Sequence, residues 1–207
     1  IREFATEKLT ERGEADRIRD RHASWVLAFV GAAAVSICGP DQKAVLDRYE
    51  RELDNIRAAM SRCLAHDHSE MAMRILAASW RFWQMRGYLA EAREQAERVL
   101  AAPDSRQYPE ARAAALEAAG GIAYWQGDME PARTWYEEAL ELARLSGDKR
   151  RIAKAAYNVT FTFTLNSDDQ ARAVELARET VDLYRELGDE GGIGRSLWGL
   201  SNASYFF

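Results

Sequence analysis

Three side chains able to bind a metal stand within six residues in Cys63-Leu64-Ala65-His66-Asp67-His68: one thiol and two imidazoles. A structural zinc site needs four such donors at compatible spacing, and no other His or Cys lies close in sequence. The segment reads as a solvated loop between helices. His22 stands alone on an amphipathic stretch and reads as structural. Gly191-Gly192-Ile193-Gly194 has the glycines of a phosphate cradle, but no strand precedes it and no lysine accompanies it, so it reads as a turn between helical units. Carboxylates such as Glu137-Glu138 and Asp168-Asp169 fall on helix surfaces or in first turns, where negative charge complements the helix dipole. A catalytic pair would need burial or close coupling to shift its pKa. No P-loop, HExxH or CxxC motif occurs. No catalytic residue, metal site or cofactor is assigned.

The elements that hold these residues are helices of an ordinary globular composition. The 207 residues are 47% hydrophobic and 29% charged, so the chain can bury a core. No apolar run approaches the ~18 residues of a membrane span. Two cysteines, Cys38 and Cys63, suit a reducing cytoplasm better than a disulfide framework. A net charge of −5 argues against a general nucleic-acid surface. Ile1 at one end and Tyr205-Phe206-Phe207 at the other read as cuts through a longer protein.

An internal repeat organises the second half. Residues 127–152 share eight identities in 26 positions with the residues 41 further on, where chance gives roughly two. They include Asp128/Asp169, Ala132/Ala173, Gly147/Gly188 and Asp148/Asp189. Gly87, Ala92, Arg93 and Leu100 foreshadow Gly127, Ala132, Arg133 and Leu140 at a spacing of 40. Each unit is a helix pair. Alanine-rich 111–126 is followed by Gly127-Asp128, where Gly suits a left-handed C-terminal cap and Asp an N-cap. Pro131 then falls in a first turn. The expected helices are 1–11, 15–37, 41–66, 69–86, 89–102, 108–126, 129–146, 149–167, 170–187 and 190–207. Thr160-Phe161-Thr162-Phe163-Thr164 alternates with period two and alone reads as a strand. The repeat register instead places it within a helix.

Leu116, Gly120, Ala132, Tyr136 and Ala139, with the Gly-Asp turn, resemble the tetratricopeptide pattern, although the period of about 40 exceeds the usual 34. Ile1-Arg2-Glu3-Phe4-Ala5-Thr6-Glu7-Lys8-Leu9 resembles the last helix of the winged-helix segment in STAND (NB-ARC-like) signal-transducing ATPases. Leu53–Ala59 and Trp80-Arg81-Phe82-Trp83 resemble the segments that link that region to its repeats. The resemblance implies an all-α fold of antiparallel helix hairpins stacked as an α-solenoid, in a right-handed tetratricopeptide-like superhelix. It also implies this order: the end of a winged-helix segment (1–12), a helical linker (13–68) and repeats over 69–207 (about 69–103, 108–148, 149–189 and a truncated 190–207). The ATPase would lie upstream.

In such a solenoid the first helix of each unit lines a concave groove at i, i+4 and i+7. That register selects Ala77, Arg81 and Gln84; Glu117, Gly121 and Tyr124; Tyr157, Phe161 and Thr164; Trp198, Asn202 and Tyr205. Arg74, Lys154 and Arg195 lie one turn earlier. Trp80, Trp83, Trp135 and Tyr136 read as core. Five aromatics and several cations in one row suit stacking and charge-assisted recognition. The alternative is that the rings pack under a further repeat or an upstream domain. The expected function is a non-catalytic sensor or interaction module of a signalling or transcriptional regulator. Its groove would hold a protein or peptide partner, a small-molecule inducer or the regulator's own ATPase domain. The other reading is a free-standing structural adaptor. Titration of the chain with Mg-ATP should give no saturable heat, because no phosphate loop exists to hold the nucleotide.

Overall fold

The computed structural model describes residues 2–163 and 167–205. Ten α-helices follow one another: α1 (Arg2–Glu11), α2 (Ala15–Ala34), α3 (Gln42–Ala65), α4 (Ser69–Arg86), α5 (Leu89–Leu100), α6 (Pro109–Trp125), α7 (Met129–Ser146), α8 (Lys149–Thr160), α9 (Ser167–Glu186) and α10 (Glu190–Tyr205). Among the described residues there is no strand. The fold is an all-α solenoid of antiparallel hairpins. Within hairpins, α4 packs on α5, α6 on α7 and α8 on α9; between them, α5 packs on α6, α7 on α8 and α9 on α10. Among the described residues no helix is long and apolar enough to cross a membrane.

Glycine sets the hairpin corners. Gly87, Gly127, Gly147 and Gly188 all have positive φ, a region open to glycine without steric cost. After Gly87 the Tyr88 N–H donates to the Trp83 carbonyl at 2.8 Å, closing the last turn of α4. Asp148 then caps α8 by accepting from the Arg150 and Arg151 N–H groups at 2.9 and 3.2 Å. Asp189 accepts from the Gly192 N–H at 2.8 Å in the same way. That bond, with Arg150 beside it, holds the Asp189 carboxyl below its usual range. Asp128 departs from the expected pattern. It makes no side-chain cap and instead accepts from Arg93 at 3.3 Å. The expected cap is thus found at two of the three Gly-Asp corners.

α2 and α3 share one core with the first hairpins, running from Ala23 to Ile122. Tyr49 is its knot: its hydroxyl donates to the Val30 and Ala78 carbonyls at 3.0 and 3.1 Å, tying α3 to α2 and α4. A second cluster joins α7, α8, α9 and α10 through Tyr136, Leu140, Val159, Leu176 and Ala203.

Two expectations give way. α8 stops at Thr160 rather than running to residue 167, and Phe161-Thr162-Phe163 is neither helix nor strand but a turn. The threonine hydroxyls bond back to the ending helix: Thr160 Oγ1 donates to the Tyr157 carbonyl at 2.6 Å and Thr162 Oγ1 to the Val159 carbonyl at 2.8 Å. Such local bonds compete with helix continuation. Gly191-Gly192-Ile193-Gly194 is not an inter-unit turn but the start of α10. A Cβ on Gly192 would stand 2.3 Å from the Tyr184 ring, so the glycine admits that ring. Thr164 and the Phe206-Phe207 end lie outside the described residues.

A Cβ on Gly120 would meet the Tyr136 ring at 2.6 Å, whereas one on exposed Gly31, inside α2, would meet nothing within 4 Å. Gly120→Ala should therefore destabilise by about 1–3 kcal/mol through overpacking. Gly31→Ala should stabilise by about 0.5–1 kcal/mol through helix propensity. Urea denaturation of the two variants checks the opposite signs.

Candidate functional site: an aromatic cavity on the first-helix face

α4, α6, α8 and α10 present their expected faces to a single cavity of about 340 Å³. Its lining includes Ala77, Trp80 and Arg81 from α4, Ala114, Glu117, Tyr124 and Trp125 from α6, Tyr136 from α7, Lys154 and Asn158 from α8, Phe161 just beyond it, and Trp198 from α10. Seven of the residues that the sequence places on this face therefore meet there: Ala77, Arg81, Glu117, Tyr124, Lys154, Phe161 and Trp198. Asn202 lies beside it, in a smaller recess shared with Tyr124, Phe161 and Trp198. Tyr157 stands behind Phe161, with ring centroids 4.8 Å apart. Gln84 and Arg195 do not line the cavity. The side chain of Tyr205 lies outside the described residues.

The rings form a connected wall. Phe161 stacks on Trp198 at 5.6 Å and 26°, and meets Tyr124 edge-on at 6.5 Å. Trp198 remains 58% exposed, and Trp125 is 53% exposed. Trp80 corrects the sequence reading. It is half-buried, packing against the first core cluster with part of its surface and lining the cavity with the rest. The reason is Gly121: a Cβ there would lie 2.7 Å from the Trp80 ring, so only glycine leaves that ring its place. Tyr136 belongs both to the core and to the cavity lining. Trp135 is also only partly buried and carries the Arg93 guanidinium over its ring at 4.5 Å. Trp83 is fully buried, as expected.

Charge in the cavity is uneven. Lys154 and Glu117 pair at 2.5 Å and neutralise each other. Arg81 lies 4.0 Å over the Trp80 ring, and among the described residues no carboxylate pairs with it. Burial raises the Tyr136 phenol above its ordinary value, against the opposing charge of Arg81. It raises Tyr157 as well, against Arg195. Both phenols are therefore neutral across the physiological range and add no negative charge.

Elsewhere, no group of three or more His, Cys, Asp or Glu among the described residues is placed to hold a metal ion. Cys63 is buried, which pushes its thiol up to about 11. A second cavity, about 600 Å³, is lined by Pro109, Glu110, Leu142, Leu145 and Arg151 and shares Ala114, Glu117 and Lys154 with the first. The Lys154–Glu117 pair thus borders both.

Residues 111–202 match the family model of the tetratricopeptide repeat. The matched segment runs from α6 into α10 and carries most of the cavity lining. Among curated proteins, the chain is 26% identical over 207 residues to proteins of Mycobacterium bovis and Mycobacterium tuberculosis, each named "Putative HTH-type transcriptional regulator". The match takes in 96% of this chain but 23% of each relative, so the chain spans about a quarter of their length. Among solved structures, a crystal structure of a de novo designed helical repeat protein aligns with 92% of this chain and 95% of its own, at 18% identity and a TM-score of 0.33.

Trp83 and Trp198 differ in what they hold. Trp83→Ala should cost about 3–5 kcal/mol by opening a cavity in the core. Trp198→Ala should cost less than about 1 kcal/mol, since its ring is mostly in solvent. Thermal unfolding of both variants separates them.

Proposed function

We propose that this chain is a non-catalytic binding module of a multidomain transcriptional or signalling regulator, and that it receives its ligand in the aromatic cavity on the concave first-helix face. The observation that carries this reading is convergence. Residues from α4, α6, α7, α8 and α10 and from the turn after α8, far apart in sequence, bring six aromatic rings, one ion pair and one guanidinium that pairs with no carboxylate among the described residues to the same 340 Å³ space. Cavities of that size, lined by aromatic rings with a few charged groups, are where proteins hold ligands. The lining is suited to holding a ligand, by stacking and charge, rather than to transforming one.

Two comparisons support the wider context. Tetratricopeptide repeats are in general protein-interaction scaffolds, and the matched relatives are named as HTH-type regulators more than four times as long as the aligned segment. In this reading residues 1–12 close a winged-helix segment, 13–68 link it to the repeats, and a STAND-type ATPase in the same cytoplasmic polypeptide responds to occupancy of the groove. α2 and α3 pack on α4, so they give a continuous path from the linker to the cavity wall.

A ligand that binds the folded state raises thermal stability by mass action. A thermal-shift screen of a metabolite and peptide library, run on the wild type and on a Phe161→Ala/Trp198→Ala variant, tests the reading. Hits should stabilise the wild type and lose about 2 kcal/mol or more of binding in the variant. Hits that stabilise both proteins equally, or no hits at all, would remove the groove from the account.

A further inference from the structure

We infer that the occupant of this cavity is a small, planar aromatic acid, stacked on the ring wall with its carboxylate on Arg81. The inference rests on the binding-module reading and narrows it to one ligand chemistry. Shape comes first. Trp80, Tyr124, Phe161 and Trp198 are flat surfaces around a space of about 340 Å³, which sits at the small end of ligand sites. That volume suits one fused ring system. An extended peptide would need amide partners for its main chain, and the lining offers the single side-chain amide of Asn158.

Charge then decides the substituent. Lys154 and Glu117 cancel at 2.5 Å. The two phenols beside them are neutral. What is left is the Arg81 guanidinium, 4.0 Å over the Trp80 ring with no carboxylate of its own among the described residues. A guanidinium presents a planar fork of donors that fits a carboxylate bidentately. Stacking on Trp80 restrains that fork before a ligand arrives, which reduces the ordering cost of binding. A cationic ligand would meet Arg81 with like charge, and a neutral one would leave Arg81 uncompensated at the edge of an aromatic site.

Three isosteric probes test this: 2-naphthoate, 2-naphthamide and 2-naphthylmethylammonium. Each is titrated into the 207-residue chain by calorimetry, with tryptophan fluorescence as a second readout. The naphthoate should bind saturably and at least about tenfold tighter than the amide, with the ammonium weakest. In Arg81→Gln the preference for acid over amide should vanish while the amide keeps its affinity within about twofold, which also reports an intact site. In Phe161→Ala/Trp198→Ala all three should weaken. The inference is overturned if the wild type does not prefer the acid, if the preference survives in Arg81→Gln, or if the ammonium binds best. Library hits that depend on Phe161 and Trp198 but are peptides or cations would overturn the aromatic acid and leave the binding module standing. An absence of both naphthoate binding and library hits would remove both.

Discussion

Two adjacent glycines in α6 govern how closely everything around the cavity can approach. Gly120 faces α7 and lets the Tyr136 ring lie where a Cβ would be 2.6 Å away. Gly121, one residue on, faces α4 and leaves the same kind of notch for Trp80 at 2.7 Å. Successive positions on a helix point about 100° apart, so the pair opens α6 on two flanks at once. One flank sets the α6–α7 hairpin; the other sets the α4–α6 contact. Both rings displaced into those notches reappear in the cavity lining. Side chains at either position would push apart the helices whose spacing defines the site. Glycine inside a helix costs roughly 0.5–1 kcal/mol relative to alanine, and two in sequence are tolerated here because ring packing offsets that loss.

The solenoid is held along its length by a different device. Basic residues on one unit reach acids about one repeat further on: Arg93 to Asp128, Arg133 to Asp169, Arg144 to Glu179, Lys149 to Glu186 and Arg150 to Asp189. Exposed pairs of this kind are worth little each, so they fix register more than they supply stability. Arg133 is the exception in quality. Besides its two bonds to Asp169 it donates to the Thr162 carbonyl at 3.0 Å and lies 4.7 Å over the Phe163 ring. It is thus the residue that secures the segment following α8.

Much of this was legible in the sequence because repeat spacing and corner glycines are local signals. Gly87, Gly127, Gly147 and Gly188 each mark a corner, and the i, i+4, i+7 register taken from the first helices led to Arg81, Glu117, Tyr124, Phe161 and Trp198. What escaped depends on contacts between units. Trp80 reads as core on hydrophobicity alone, and only the Gly121 notch explains why its ring also lines the cavity. Arg195 and Gln84 share the nominal face, yet neither lines the cavity. Asp128 has the sequence of a cap, but its carboxylate is taken by Arg93 from the preceding hairpin. A periodicity argument has no access to that competition.

The segment at the end of α8 shows how a conflict between local preference and repeat register resolves physically. Thr160-Phe161-Thr162-Phe163 favours extended structure, and the register favours helix. The chain satisfies the register as far as Phe161, whose backbone is still helical at φ −85° and ψ −5°, then leaves it. Phe161 therefore keeps its i+4 relation to Tyr157, and its ring meets Tyr157, Tyr124 and Trp198. Two residues later the ladder has ended, and Thr160, Thr162 and Arg133 donate from their side chains to the Tyr157, Val159 and Thr162 carbonyls. Phe163 is buried in the second core cluster, with Arg133 over its ring. The two phenylalanines, two residues apart, thus divide between cavity and core: Phe161 lines the larger cavity, Phe163 is buried in the second cluster, and both border the smaller recess that holds Asn202.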